Sequence, residues 1–203
     1  MMDTPATGGG GSRADAQRDR ILCAALKCFI ERGFHAASMA NIADAAQMSA
    51  GLIYRYFENK NAIVLAIVER QLAEKRLVIR QLQSSEQIVD SLLQTFEQWC
   101  HPGPGSMSVA LLLEMSAEAT RNPQIAAALR HSDALTRAEF ADWLRRPRVS
   151  GGAGLDAELA DLRALAMRFI VDGLALRAAR EPDIDRGKLR AAIEESTLGL
   201  VKQ

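Results

Sequence analysis

The sequence predicts an all-α fold: an N-terminal three-helix domain containing a helix-turn-helix, followed by a larger helical domain. Two observations predict it. Between Ser38 and Lys60, apolar residues recur at three-to-four spacing in two short runs, separated by only about three or four residues, the turn length of a helix-turn-helix. Beyond Lys60 the helical spacing continues in longer runs, broken at proline- and glycine-rich points.

The first short helix starts after Ser38, a hydroxyl able to cap free N–H groups, and carries Met39, Ile42, Ala43 and Ala46 on one stripe. Met48 lies in the turn, and Ser49 offers the next cap before Leu52, Ile53 and Phe57. Ala43 is small enough for the corner where the two helices cross. Gly51 costs a helix roughly 1 kcal/mol relative to Ala, so a positional reason is expected, such as close backbone approach to a phosphate or a base edge. The polar face of the second helix carries Ser49, Tyr54, Arg55 and Tyr56, groups suited to phosphate, sugar and base edges of a major groove. Phe57 reads as core. Lys60 follows Asn59 at another helix start, where free N–H groups attract an anion.

Residues 17–68, from Arg18 and the ILCAALKCFIERGF run through Tyr54-Arg55-Tyr56-Phe57 to Lys60 and AIVLAIVER, resemble the TetR-type bacterial transcriptional regulators. The resemblance implies DNA contacts from Ser38, Met39, Ser49, Ala50, Gly51, Tyr54, Arg55, Tyr56 and Lys60. It further implies a double-stranded DNA operator, a small-molecule effector and a homodimer as partners, with no cofactor. Two positions depart from the family pattern. Gln47 stands where Gly usually enters the left-handed region, at a cost of about 1 kcal/mol. Ala40 stands where many members carry Arg, which removes one possible base contact. FHAASM and EMSAEATRNPQIAAAL are similar to the branch that includes the repressor of the bacterial β-glucuronidase operon, which makes a glucuronide one candidate effector.

The 203 residues, 48% of them hydrophobic, suffice for a small domain, taken as residues 15–62, and a larger one, 63–203, for effector binding and dimerisation. A formal net charge of zero argues against a broad polyanion binder. The first sixty residues hold seven Lys or Arg against six Asp or Glu, so any basic surface is local. Arg13, Arg18 and Arg20 form either a solvated arm or a contact with DNA backbone or minor groove. The Gly8–Ser12 stretch places residues 1–14 in a disordered arm.

Cys23, Cys28 and Cys100 lack metal-site spacing, and there is neither a secretory signal nor an apolar run of about twenty residues, so a cytoplasmic protein without membrane contact is expected. Cys23 and Cys28 are expected to pack the first helix, with a redox sensor as the alternative. HExxH, G-x-S-x-G and P-loop motifs are absent, which argues against an enzyme, although His101, His131 and Glu114 are its candidate acids and bases.

Past Lys60, Ile63, Leu65, Ile67, Val68, Leu72 and Leu77 predict a lever helix running toward Gln83. Helices over 86–100, through VALLLEM, and over 124–145 follow, with breaks at HPGPG, Asn122-Pro123 and RRPRVSGGAG. Glu114 interrupts an apolar run, and a carboxylate there needs a partner. That partner is either Arg121 at helical spacing or an Arg of another helix, with Glu118 alongside, or an effector in a cavity lined by Phe96, Trp99, Met107, Met115, Phe140 and Met167. The last two helices have broad apolar faces. Leu162, Leu165, Phe169, Ile170, Leu174 and Leu176 occupy more than one stripe, so one side is expected to meet a second subunit.

Overall fold

The computed structural model describes residues 10–103 and 105–201. Among them are nine α-helices: α1 (Gly10–Arg32), α2 (Met39–Ala46), α3 (Ala50–Tyr56), α4 (Lys60–Gln81), α5 (Ser85–Cys100), α6 (Val109–Glu118), α7 (Pro123–Arg145), α8 (Ala157–Arg180) and α9 (Arg186–Val201). A short 3₁₀ turn, Arg148–Ser150, lies between α7 and α8.

The helix starts are written locally. Ser38, Ser49, Asn59, Ser84, Ser108, Asn122 and Asp156 each precede a helix and accept a backbone N–H from its first turn. A cap of this kind contributes about 1 kcal/mol. Pro123 occupies the first turn of α7, where its missing N–H costs nothing. Between α7 and α8 the chain doubles back so tightly that a Cβ on Gly152 would sit 2.2 Å from the Arg146 carbonyl oxygen.

Two apolar cores result. The first joins Leu26 and Phe29 of α1, Ile42 of α2, Ile53 of α3 and Ile67 of α4, and it also takes in Met107, Leu111, Met115 and Ile125. The small N-terminal domain is therefore seated on α6 and the start of α7. The second core, around Phe96, Phe140, Trp143, Ala164, Met167 and Ile193, fills the larger body. Glu139 of α7 accepts from Arg76 at 2.8 Å and from Arg80 at 2.6 Å, both on α4. Hydrogen bonds from Arg80, then from Arg76, hold the Glu139 carboxyl below the usual carboxylate range.

The structure differs from the sequence-based expectations at the N-terminus. α1 begins at Gly10, inside the stretch assigned to an arm, because two glycines extending a helix already nucleated cost only about 1 kcal/mol each. The rest of that arm, residues 1–9, lies outside the described residues, as does Pro104 of the HPGPG turn. Cys28 is buried, with burial raising its pKa, whereas Cys23 is exposed.

α8 presents two faces. Ala160, Ala164, Met167, Leu174 and Ala178 are buried against the body. Leu162, Phe169 and Leu176 point outward, 63%, 65% and 42% exposed, and Leu198 of α9 is 44% exposed. Isolated exposed leucines are ordinary, but a recurring helical stripe is the geometry of an interface.

Candidate DNA interface and effector cavity

The α2–α3 corner is built from short-range signals. Ser38 Oγ accepts the Asn41 N–H at 3.1 Å, and Asn41 Oδ1 accepts the Ser38 N–H at 3.0 Å, a capping box with Asn in the place of Glu. α2 ends in a Schellman arrangement: Met48 N–H donates to Ala43 O and Gln47 N–H to Asp44 O, both at 3.0 Å. Gln47 adopts φ 52°, ψ 47°, the left-handed conformation that its position predicts despite the missing glycine. Arg20 of α1 reaches the Gln47 carbonyl at 3.4 Å, and Arg18 lies 4.5 Å over the Phe57 ring. These arginines brace the domain from inside α1.

The outward face of this corner contains Ser38, Ser49, Ala50, Gly51, Tyr54 and Arg55, all exposed, with Met39 and Tyr56 half-buried. A Cβ on Gly51 would meet nothing within 4 Å, so no contact inside the molecule requires glycine there. Phe57 is buried at 3%.

Lys60 is placed differently from its expected role at a phosphate. Its ammonium donates to the carbonyls of Phe34 at 2.6 Å, Ala37 at 3.0 Å and His35 at 3.2 Å, and lies 4.5 Å from the Phe34 ring centre. Those carbonyls belong to the link between α1 and α2, so the Lys60 charge closes that link. Burial lowers its pKa, opposed by the charge of Glu118.

Glu114 is likewise turned away from its expected cavity. Its Oε2 accepts the backbone N–H of Phe34 at 2.6 Å, and its Oε1 lies 3.4 Å from where a Cβ on Gly33 would project. Gly33, at φ +78°, turns the chain so that this N–H faces α6. Among the described residues Glu114 pairs neither with Arg121 nor with an Arg of another helix; Arg121 instead meets Glu118, which also lies 3.2 Å from His35 Nε2. The Phe34 peptide is therefore held on both sides, its N–H by α6 and its C=O by α4.

A cavity of about 320 Å³ opens in the body between α4, α5, α7 and α8, with the segment before α6 at its rim. Trp99, Met107, Phe140 and Met167 line it as expected. Phe96, Glu114 and Met115 do not: Phe96 and Met115 are 0% and 1% exposed, packed into the cores rather than into space. Lys75, Arg137, Arg168, Glu74, Ser91 and Thr95 also line the cavity, and sequence reasoning missed them. One signal was available for Lys75, which interrupts the stripe Leu72, Ile79 and Leu82 at helical spacing. Among the described residues no group of His, Cys, Asp and Glu is arranged to hold a metal, and no helix is long and apolar enough to cross a membrane.

Comparison with known proteins agrees with this architecture. Residues 21–67 match the family described as bacterial regulatory proteins, tetR family, and residues 89–202 match the BetI-type transcriptional repressor C-terminal domain. The HTH-type transcriptional regulator UidR of Escherichia coli K12 is 34% identical over 202 residues, covering 95% of this chain and 96% of that protein. The HTH-type transcriptional activator FasR of Mycolicibacterium smegmatis is 28% identical over 75% of this chain and 68% of its own. Among solved structures, Salmonella enterica GusR superposes with a TM-score of 0.74 at 25% identity, over 92% of this chain and 95% of that one. A Saccharomonospora viridis regulator in complex with choline shares the fold, with a TM-score of 0.68 at 20% identity over 91% and 96% of the two chains.

Proposed function

Since the chain belongs to the TetR family of DNA-binding transcriptional regulators, and is a regulator rather than an enzyme, we propose that it is a homodimeric repressor of the cytoplasm, released from a palindromic operator when a small molecule fills the body cavity. The observation that carries this is the continuity of α4. Its first residue, Lys60, clamps the link between α1 and α2, while Gln71, Lys75, Val78 and Ile79 farther along the same helix line the cavity. Whatever displaces α4 at the cavity must act on the reading corner about 20 Å away, the rise of some fifteen residues.

In this account Ser38, Met39, Ser49, Ala50, Gly51, Tyr54, Arg55 and Tyr56 face the DNA, and Lys60 positions them from behind. The effector meets Trp99, Met107, Phe140 and Met167. A ligand shifts the equilibrium only by its differential affinity, so an inducer must bind the free protein more tightly than the operator-bound form, typically by about 1–3 kcal/mol.

Two-fold pairing through the outward stripe of α8 and through Leu198 of α9 would set two reading corners on successive turns of one DNA face. Phe169→Glu, which places a charge on the most exposed large residue of that stripe, tests the arrangement. Analytical ultracentrifugation should show a dimer for the wild type and a helical monomer with lost operator affinity for the variant. A wild type that sediments as a monomer at micromolar concentration, yet protects two symmetric half-sites, would remove the dimer from the account.

A further inference from the structure

The cavity wall carries an uneven set of charges. Lys75, Arg137 and Arg168 are its cations. Arg168 is neutralised by Asp133 Oδ1 at 2.5 Å and Asp172 Oδ1 at 3.2 Å. Asp133 Oδ2 also lies 3.1 Å from Arg137 Nε, but off-axis, so this buried N–H forms no hydrogen bond. Glu74 borders the cavity, yet its carboxylate is turned to Gln71 at 3.0 Å and Arg70 at 3.9 Å. Lys75 has neither a hydrogen bond nor an ion pair among the described residues. Its side chain is half-buried in the wall, and burial, reinforced by the Arg168 charge, pushes its pKa down.

Three cations thus stand against the two aspartates that answer them, which leaves one positive charge facing the cavity. Two of the hydroxyls are already engaged, Thr95 donating to Ser91 O and Thr136 to Ser132 O, each at 2.8 Å, so the neutral donors left to a ligand are the Ser91 and Ser106 hydroxyls and the Gln98 amide. The charged donors without a hydrogen bond are the Lys75 ammonium and Arg137 Nε, and the lining also carries the apolar Trp99, Phe140 and Met167. Burying an unpaired cation is costly, and an arriving anion removes that cost while gaining a charge-assisted hydrogen bond.

We propose that the effector is an amphipathic monoanion, a carboxylate on a compact apolar body, whose head pairs with Lys75 beside Arg137 and whose body packs on Trp99, Phe140 and Met167. This rests on the cavity being the effector site. One uncompensated charge selects a monoanion over a dianion such as a phosphate monoester. It also argues against a quaternary ammonium like the choline held by the Saccharomonospora viridis regulator of the same fold.

The test uses the full-length protein and two matched sets of probes: 1-naphthylacetate, 1-naphthylacetamide and 2-(1-naphthyl)ethylammonium, and octanoate with octanamide. Calorimetry should show the acids binding the wild type about tenfold or more tightly than the amides, and the ammonium more weakly still. Lys75→Met should abolish the acid preference while leaving amide affinity within about twofold, and Lys75→Arg should retain it, with circular dichroism confirming that both variants are helical. Equal affinity for acid and amide, or tightest binding of the ammonium, would overturn the anion assignment while leaving the cavity as a binding site. An acid preference that survives Lys75→Met would move the head elsewhere and overturn it as well. No saturable binding by any probe at millimolar concentration would overturn both the assignment and the cavity as effector site.

Discussion

Glu114 and Phe34, eighty positions apart in the chain, are joined by a 2.6 Å hydrogen bond from the Phe34 backbone N–H to the Glu114 carboxylate. The bond ties α6 of the body to the segment that delivers α2 to its place. The Phe34 carbonyl, on the other side of the same residue, is held by Lys60 of α4 at 2.6 Å. A movement of α4 relative to α6 cannot leave both bonds undisturbed, so this residue registers the relative position of body and reading corner.

Glu114→Ala removes the acceptor and leaves the Phe34 N–H without its partner. The expected loss is about 1 kcal/mol of stability in urea unfolding, near the mean for a hydrogen bond of this exposure. Affinity for a cavity ligand should stay the same, because Glu114 does not line the cavity. The factor by which that ligand weakens operator binding should fall. Calorimetry with and without operator separates these effects, and an unchanged coupling factor would reduce Glu114 to a purely structural residue.

Gly51→Ala separates stability from function. A methyl at Gly51 enters open space, so helix propensity alone decides the effect on folding, and a gain of roughly 0.5–1 kcal/mol is expected. Operator affinity should nevertheless drop, since the same methyl would occupy the surface proposed to lie against the DNA backbone. Thermal unfolding and a gel-shift titration on one preparation suffice. A variant that is stabler and binds DNA equally well would move Gly51 out of the interface.

Much of the reading corner was legible in the sequence because its determinants are local. The Ser38 and Ser49 caps, the stripe through Ile42 and Ala46, and the left-handed Gln47 are set by residues within a few positions of one another. The two faces of α8 were legible from periodicity alone. Glu114, Lys60 and Lys75 were not, for one physical reason: each is a charged group whose partner, or lack of one, is decided by a distant segment. Spacing within a helix shows that a charge interrupts an apolar run. It does not show which of the neighbouring helices supplies a backbone N–H, three carbonyls or an unfilled space. The seating of the small domain on Leu111, Met115 and Ile125 was hidden for the same reason.

The unpaired Lys75 also predicts a dependence on pH. Its folded pKa is lowered, so between that value and the ordinary lysine value of about 10.4 the unfolded chain binds more protons, and stability rises with pH. The cost of the buried charge is fully present below the folded pKa and disappears as pH climbs through that window. Lys75→Met should therefore be stabler than the wild type near neutrality, with an advantage that shrinks toward alkaline pH. Chemical denaturation of both proteins across the range checks this, and an advantage that stays constant or grows with pH would contradict the burial of an uncompensated cation.

The corner formed by α2 and α3 is proposed to read a specific operator. The most direct measurement is to pass sheared DNA from the source genome over the purified full-length protein at moderate salt, and to sequence what is retained. The account predicts enrichment of a few fragments sharing a partly palindromic element, lost on Tyr54→Ala more strongly than the residual binding to random DNA is lost. Retention of all fragments alike, or of none, by a folded dimeric wild type would contradict it.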